Sequence, residues 1–193
     1  MATASLRVVI ADDEPITRMD LKELLEEKGY QVIGEATDGF DAIEICKGLR
    51  PDLVLMDIKM PLLDGLSAAR IMNEEQFGAA IVLLTAYSER EFIDTAKEIG
   101  VSGYLVKPID EKSIIPSIEL AVARSNEIRK LQKNIAKVEE RLESRSIIEK
   151  AKGQIMSRNG LCEEEAYAFI RKLSQTKNMS MRRVAEIILQ ARG

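Results

Sequence analysis

The chain's 193 residues suffice for one full domain and a smaller second one, and a 46% hydrophobic content supports packed cores. It has no histidine, which excludes a Ser-His-Asp triad, most zinc sites and any phosphohistidine of its own, so a histidine phosphodonor must be another molecule. The net charge of −4 conceals an asymmetry: residues 1–124 carry 13 Lys+Arg against 23 Asp+Glu (−10), and residues 125–193 carry 15 against 9 (+6), so two domains with different partners are expected and the basic half is a nucleic-acid candidate.

No apolar run is long enough to span a bilayer and no charged-then-apolar leader opens the chain, so a soluble, cytoplasmic protein without a membrane partner is expected. Cys46 and Cys162 lie far apart and form no metal spacing, which predicts reduced, structural thiols.

Leu6–Ala11 (LRVVIA) reads as a buried strand, followed by Asp12-Asp13-Glu14-Pro15. Ile16 to Lys28 reads as a helix with Ile16, Met19, Leu21, Leu24 and Leu25 inward and Gly29 ending it. Gln31–Ala36 is a second strand, and Asp38-Gly39 turns into a helix over Phe40–Lys47 with Ala42, Ile43 and Cys46 inward. Asp52–Asp57 is a third strand, whose run Leu53-Val54-Leu55-Met56 fits burial on both faces. Met60-Pro61 breaks the backbone, and Asp64-Gly65 turns into a helix over Leu66–Met72. Ala80–Thr85 (AIVLLT) is a fourth strand, with a helix at Glu89–Glu98, and Ser102–Val106 is a fifth, ending at Lys107-Pro108. Five alternations of strand and helix predict an α/β fold, a doubly wound five-stranded parallel sheet with helices on both faces. No glycine-rich phosphate loop follows any strand, which argues against a nucleotide site.

In such a sheet the strand ends converge on one edge, where ligands bind. The ends are Asp12-Asp13, Asp57, Thr85 and Lys107. Each carboxylate could serve only as a helix cap, but three together repel one another unless a cation joins them, and oxygen-only ligands suit Mg²⁺. Thr85 offers a hydroxyl and Lys107 a positive charge for a phosphoryl group, and an Asp can accept that group covalently.

On these motifs, namely Asp12-Asp13, Asp57 with Met60-Pro61 and Asp64-Gly65, Thr85-Ala86 and Lys107-Pro108, residues 6–122 resemble the receiver domain of two-component response regulators, whose fold is flavodoxin-like. The resemblance implies that Asp57 accepts phosphate from a sensor histidine kinase. It implies Mg²⁺ on Asp13 and Asp57, with Asp12 nearby and the Lys59 carbonyl as a further ligand. Thr85 and Lys107 would contact the phosphoryl oxygens, Tyr104 would turn inward on activation, and the Lys107-Pro108 bond would be cis.

Beyond Pro116 the chain runs to about Lys150 without Gly or Pro. Ile128, Leu131, Ile135, Val138 and Leu142 recur at spacings of 3, 4, 3 and 4, an a/d seam. The seam could pack within one chain, but so narrow a stripe fits a parallel dimer better. Ile147, Ile148, Ala151, Ile155 and Met156 then stripe a helix ending at Asn159-Gly160. Glu163–Thr176 is a second helix with Tyr167, Ile170 and Leu173 as its apolar face, and Ser180 caps a third with Val184, Ile187, Ile188 and Ala191 inward. The domains are therefore read as 1–122, a linker helix 123–146, and a small three-helix bundle 147–193.

Glu149-Lys-Ala-Lys-Gly153, Glu165-Ala-Tyr167 and Arg183-Val-Ala-Glu186 make the tail resemble the ANTAR domain, the RNA-binding module of transcription antitermination regulators. The whole order is similar to the ethanolamine-utilisation antiterminator regulators. Cys162 stands where that family commonly has a hydroxyl cap. The resemblance implies a phosphorylation-controlled regulator, not an enzyme, that binds hairpin RNA in nascent transcripts to cause antitermination, and the a/d seam suggests that it dimerises on phosphorylation. Lys152, Arg182 and Arg183 are the expected phosphate contacts, on charge and resemblance. The rivals are a DNA-binding response regulator and a protein-interaction regulator that binds no nucleic acid. Against the first, the third tail helix offers few base-reading side chains: Arg182, Arg183 and Gln190.

Overall fold

The structure, a computed structural model, describes residues 5–86 and 90–191, and no side chain of residues 90–93. The expected start of the fourth helix at Glu89 lies outside the described residues. The chain divides into two compact units, Met1–Lys130 and Leu131–Gly193.

The first unit is built on strands β1 (Arg7–Ala11), β2 (Gln31–Ala36), β3 (Leu53–Asp57), β4 (Ala80–Thr85) and β5 (Gly103–Val106), interleaved with helices α1 (Pro15–Glu27), α2 (Gly39–Leu49), α3 (Gly65–Glu74) and α4 (Arg90–Ile99). All strand pairs are parallel, in the order β2-β1-β3-β4-β5. This is the flavodoxin-like doubly wound order, with the switch point between β1 and β3.

The pleat divides the sheet's side chains between two cores. Val9, Val54, Met56, Ile81 and Leu83 face one way and pack with Ala42, Cys46, Ala68, Ala69 and Met72 from α2 and α3. Val8, Ile10, Leu53, Leu55, Val82 and Leu84 face the other way and pack with Leu21 and Leu25 of α1 and with Ile114, Ile118 and Ala121 of the next helix. Burial in the first layer pushes the Cys46 thiol up to about 12, which makes it an inert packing residue.

Two expected core residues of α1 are corrected. Ile16 and Met19 are exposed, whereas Leu21 and Leu25 are buried. The step from Met19 to Leu21 turns about 200° round the helix, so the two pairs occupy different faces. The sequence spacing had merged those faces into one.

Asp64 caps α3, its side chain accepting from the Ser67 N–H at 2.8 Å. The first residue inside the helix is Gly65, whose N–H donates to the Ile58 carbonyl at 2.9 Å. A methyl group on Gly65 would run into the Asp57 carbonyl oxygen, so this close backbone approach needs glycine. Gly65→Ala is expected to destabilise the first unit by about 1–3 kcal/mol, as overpacking against backbone does. Urea denaturation checks this, and a midpoint equal to wild type would remove the constraint.

Helix α5 runs unbroken from Glu111 to Asn159. Asp110 caps it, accepting from the Ser113 N–H at 2.8 Å. The boundary expected at residues 146/147 falls inside this helix, so linker helix and first tail helix are one element. The second unit completes its bundle with α6 (Glu163–Lys177) and α7 (Met181–Gln190).

Its core holds Ala151 and Ile155 of α5, Ala166 and Ile170 of α6, and Val184 and Ala185 of α7. Tyr167, Ile187 and Ala191, expected inward, are exposed instead. Alanines 166 and 185 take the inner positions, and their small side chains let the helices approach closely. No helix among the described residues is long and apolar enough to cross a membrane.

Candidate functional site

The register of the sheet brings the expected strand ends to one edge. Asp57 is the last residue of β3 and pairs with Leu84, while Thr85 ends β4 opposite Val106. Lys107 follows directly, its N–H donating to the Thr85 carbonyl at 2.7 Å, and the Lys107-Pro108 bond is cis. Asp12 continues β1, its N–H donating to the Ala36 carbonyl at 3.1 Å.

Asp12 is fully buried, Asp57 and Thr85 are nearly so, and Asp13 and Lys59 are exposed. The Lys107 ammonium lies 2.8 Å from Asp12 Oδ2 and 3.4 Å from Asp57 Oδ1. The Glu14 N–H donates to Asp12 Oδ1 at 2.9 Å. Tyr104, on β5, is 45% exposed and so turned outward.

Burial raises the Asp57 carboxyl above its ordinary range; the Asp12 charge adds to this, and the Lys107 charge and the Ile58 N–H work against it. Burial acts against the Lys107 ammonium too, but its hydrogen bond to Asp12 and the charges of Asp57 and Asp12 more than offset that and raise its pKa. One ligand oxygen from each of Asp12, Asp13 and Asp57 lies within 4.8 Å of the others. Three carboxylates against one ammonium leave two formal negative charges on a donor set made only of oxygen. That set fits a hard divalent cation such as Mg²⁺ and poorly fits zinc or copper.

Sequence reasoning assigned no part to Arg18. Its guanidinium donates to the Asp12 carbonyl at 2.6 Å and stands 3.7 Å from Glu35, tying the end of β1 to α1. Nothing in the local sequence signals this contact, because it depends on how α1 lies on the sheet.

In the second unit the three expected RNA contacts are all engaged by carboxylates. Lys152 is only 6% exposed, held by Glu149 at 2.8 Å and by Glu163 at 2.7 Å, so that it clasps α5 to the start of α6. Hydrogen bonds to Glu149 and Glu163 raise its pKa. Arg182 pairs with Glu143 and Glu186, each at 3.0 Å, and Arg183 with Glu186 at 3.2 Å. Cys162 occupies the position before α6, and its backbone N–H donates to Glu165 Oε2 at 2.9 Å, the return half of a capping box.

Lys152→Met is expected to lower the melting temperature of the tail helices followed by circular dichroism, with Lys150→Met, an exposed neighbour, as the silent control. Equal melting of the two variants would show that the clasp contributes no stability.

Residues 8–119 match the response regulator receiver domain family, and residues 136–189 match the ANTAR domain family. Along its whole length the chain is 43% identical to the transcriptional regulatory protein PdtaR of Mycobacterium tuberculosis, covering 93% of that protein. Among solved structures, the signal receiver domain of NarL from Mycobacterium tuberculosis superposes with a TM-score of 0.60 at 29% identity, covering 63% of this chain and 98% of that one. CheY in the CheX-CheY-BeF3-Mg²⁺ complex from Borrelia burgdorferi gives a TM-score of 0.57 at 25% identity, over 58% of this chain and 86% of that one.

Proposed function

This chain belongs to the response regulators that carry a receiver domain followed by an ANTAR domain, and on that premise we propose that it is a non-enzymatic, cytoplasmic antiterminator switched by phosphorylation of Asp57. The observation that carries the reading is the strand-end cluster, in which a half-buried Lys107 bridges Asp12 and Asp57. In the proposed reaction an Asp57 carboxylate oxygen forms the new P–O bond as the P–N bond of a sensor kinase's phosphohistidine breaks. Lys107 follows the phosphoryl oxygens, the Thr85 hydroxyl donates to one of them, and Tyr104 turns inward behind Thr85. Asp13, Asp57 and the Lys59 carbonyl, with Asp12 beside them, would hold Mg²⁺, which would supply charge neutralisation during the transfer. Support for it comes from the oxygen-only donor set and from the CheY relative solved with Mg²⁺ and BeF3.

Phosphorylation then pairs two chains along α5, and the two tails bind hairpin RNA of a nascent transcript and prevent terminator formation. The ANTAR match and the basic balance of the tail support RNA as the ligand. Arg182 and Arg183 could reach phosphate only by leaving Glu143 and Glu186, so they rank behind cations without a partner. The full chain activated with beryllofluoride, a phosphoryl mimic, is expected to shift hairpin RNA in a gel and not duplex DNA of the same stem sequence. A shift of duplex DNA alone would replace this reading with a DNA-binding regulator. No shift of either would leave a regulator that acts through protein contacts.

A further inference from the structure

With the three expected cations committed elsewhere, the tail's two exposed aromatics, Tyr167 and Phe169, become informative, and Tyr167 is the one that lines a cleft. Tyr167 is 45% exposed, one residue along from the buried Ala166, so its ring stands out of the bundle core. It lines a cleft of about 470 Å³ whose α5 side carries Arg141 and Arg145 together with Glu140, Ser144, Ile148 and Glu149. Among the described residues neither guanidinium has an ion-pair or hydrogen-bond partner, unlike Lys152, Arg182 and Arg183. Glu149 on the rim is taken by Lys152. Arg145 also stands where the spacing of the α5 seam would next place an apolar side chain after Leu142, so the seam ends within the stretch that lines the cleft.

Tyr167 also lines a second cleft with Lys152, Cys162, Glu163 and Glu164, in which Lys152 engages Glu163 and Glu164 has no ion pair among the described residues. The ring therefore has one flank with two unpaired guanidiniums beside Glu140, and an acidic flank on which Glu164 is the carboxylate not engaged by Lys152. A nucleotide has matching parts: a flat base, a phosphate, and in three of the four bases an exocyclic amino group. Sequence-specific RNA binding relies on unpaired bases stacked on aromatic rings and flanked by arginines, because the A-form stem hides its base edges.

We propose that this cleft receives one unpaired base of a hairpin RNA, with Tyr167 stacked on the base, Arg141 and Arg145 on the adjoining phosphates, and Glu164 on the acidic flank accepting from the base's amino group. The proposal deepens the RNA-binding reading above and rests on it. It makes adenine, cytosine or guanine the accepted base and uracil the rejected one, since uracil offers no amino group to the carboxylate.

The test uses the full chain with beryllofluoride and a pool of hairpins with one constant stem and randomised loops. From the pool a tight binder is selected, and its affinity is compared with that of the same stem closed as a plain duplex. Tyr167→Ala is expected to weaken hairpin binding by about tenfold to a hundredfold, the usual loss for one stacked base, whereas Tyr167→Phe keeps it. Arg141→Gln/Arg145→Gln, exposed and unpaired in the folded protein, should weaken binding and flatten the log–log salt slope by roughly 1.4. A uracil placed at the stacked position should cost wild type affinity and leave Tyr167→Ala indifferent. If wild type binds a hairpin and the arginine pair and Tyr167→Ala bind it within twofold, the cleft is refuted while RNA binding stands. If wild type binds no hairpin at all, the RNA reading itself is refuted, and the cleft with it. Should Tyr167→Ala lose helix content, the arginine pair decides alone.

Discussion

Asp57→Ala, incubated with a small-molecule phosphodonor and Mg²⁺, is expected to take up no phosphate, while wild type labels and loses its labelling in EDTA. The expectation separates Asp57 from the two carboxylates beside it. Asp12 is fully buried, with one oxygen on Lys107 and the other on the Glu14 N–H, so neither can turn toward a donor without breaking a charge-assisted bond. Asp13 is exposed, at the start of the loop after β1, and lacks Lys107 as a partner to hold an incoming phosphoryl group. Asp57 ends the central strand of the sheet, 3.4 Å from that ammonium, with the Thr85 strand end as its neighbour. The removal of one carboxylate should therefore take labelling to background rather than reduce it by a fraction. Undiminished labelling of Asp57→Ala would move the acceptor to Asp12 or Asp13 and overturn the assignment.

The same cluster illustrates what a sequence can and cannot reveal. Leu53-Val54-Leu55-Met56 and Ala80–Leu84 are buried on both faces, so their continuous apolar runs identify them directly, and the residue after each run falls at the ligand edge. The polar site was legible because parallel register places strand ends together whatever the helices do. Helix faces were less legible. Ile16 and Met19 share α1 with Leu21 and Leu25 but point elsewhere, and Tyr167 lies one residue from Ala166 yet about 100° round the helix.

The domain boundary expected at 146/147 has the same origin. Leu142 and Ile148 are six residues apart, so the apolar stripe shifts by roughly a third of a turn while the helix continues. A change of apolar face was read as a domain boundary. The commitment of Lys152, Arg182 and Arg183 to carboxylates could be only partly foreseen. Glu149 to Lys152 and Arg182 to Glu186 are helical spacings, but the Glu163 and Glu143 contacts join different helices.

Leu131→Lys/Val138→Lys is expected to leave phosphoryl uptake intact and abolish both dimerisation and tight RNA binding. The seam residues Ile128, Leu131, Ile135, Val138 and Leu142 are 44–63% exposed. Lysines at two of these positions should fold as well as the wild type does. Their alternating spacing of 3 and 4 is that of knobs entering the holes of a second, parallel α5. Three heptads bury too little apolar surface to hold two chains firmly at low concentration. A new contact between phosphorylated first units would raise the effective concentration of the second α5 and second tail, which are covalently continuous with them. A ~100-fold shift in population needs about 2.8 kcal/mol, within reach of one such interface. Two tails held together would then grip two RNA elements, and weak monomer binding would become strong. Analytical ultracentrifugation with and without beryllofluoride reads the first step, and a gel shift under the same conditions reads the second. Wild type should move from monomer to dimer and the double lysine variant should remain monomeric, since four ammonium groups would otherwise meet in one seam. If wild type stays monomeric with beryllofluoride and binds RNA as tightly as before, or if the variant dimerises like wild type, the seam is only a spacer and the switch must act within one chain.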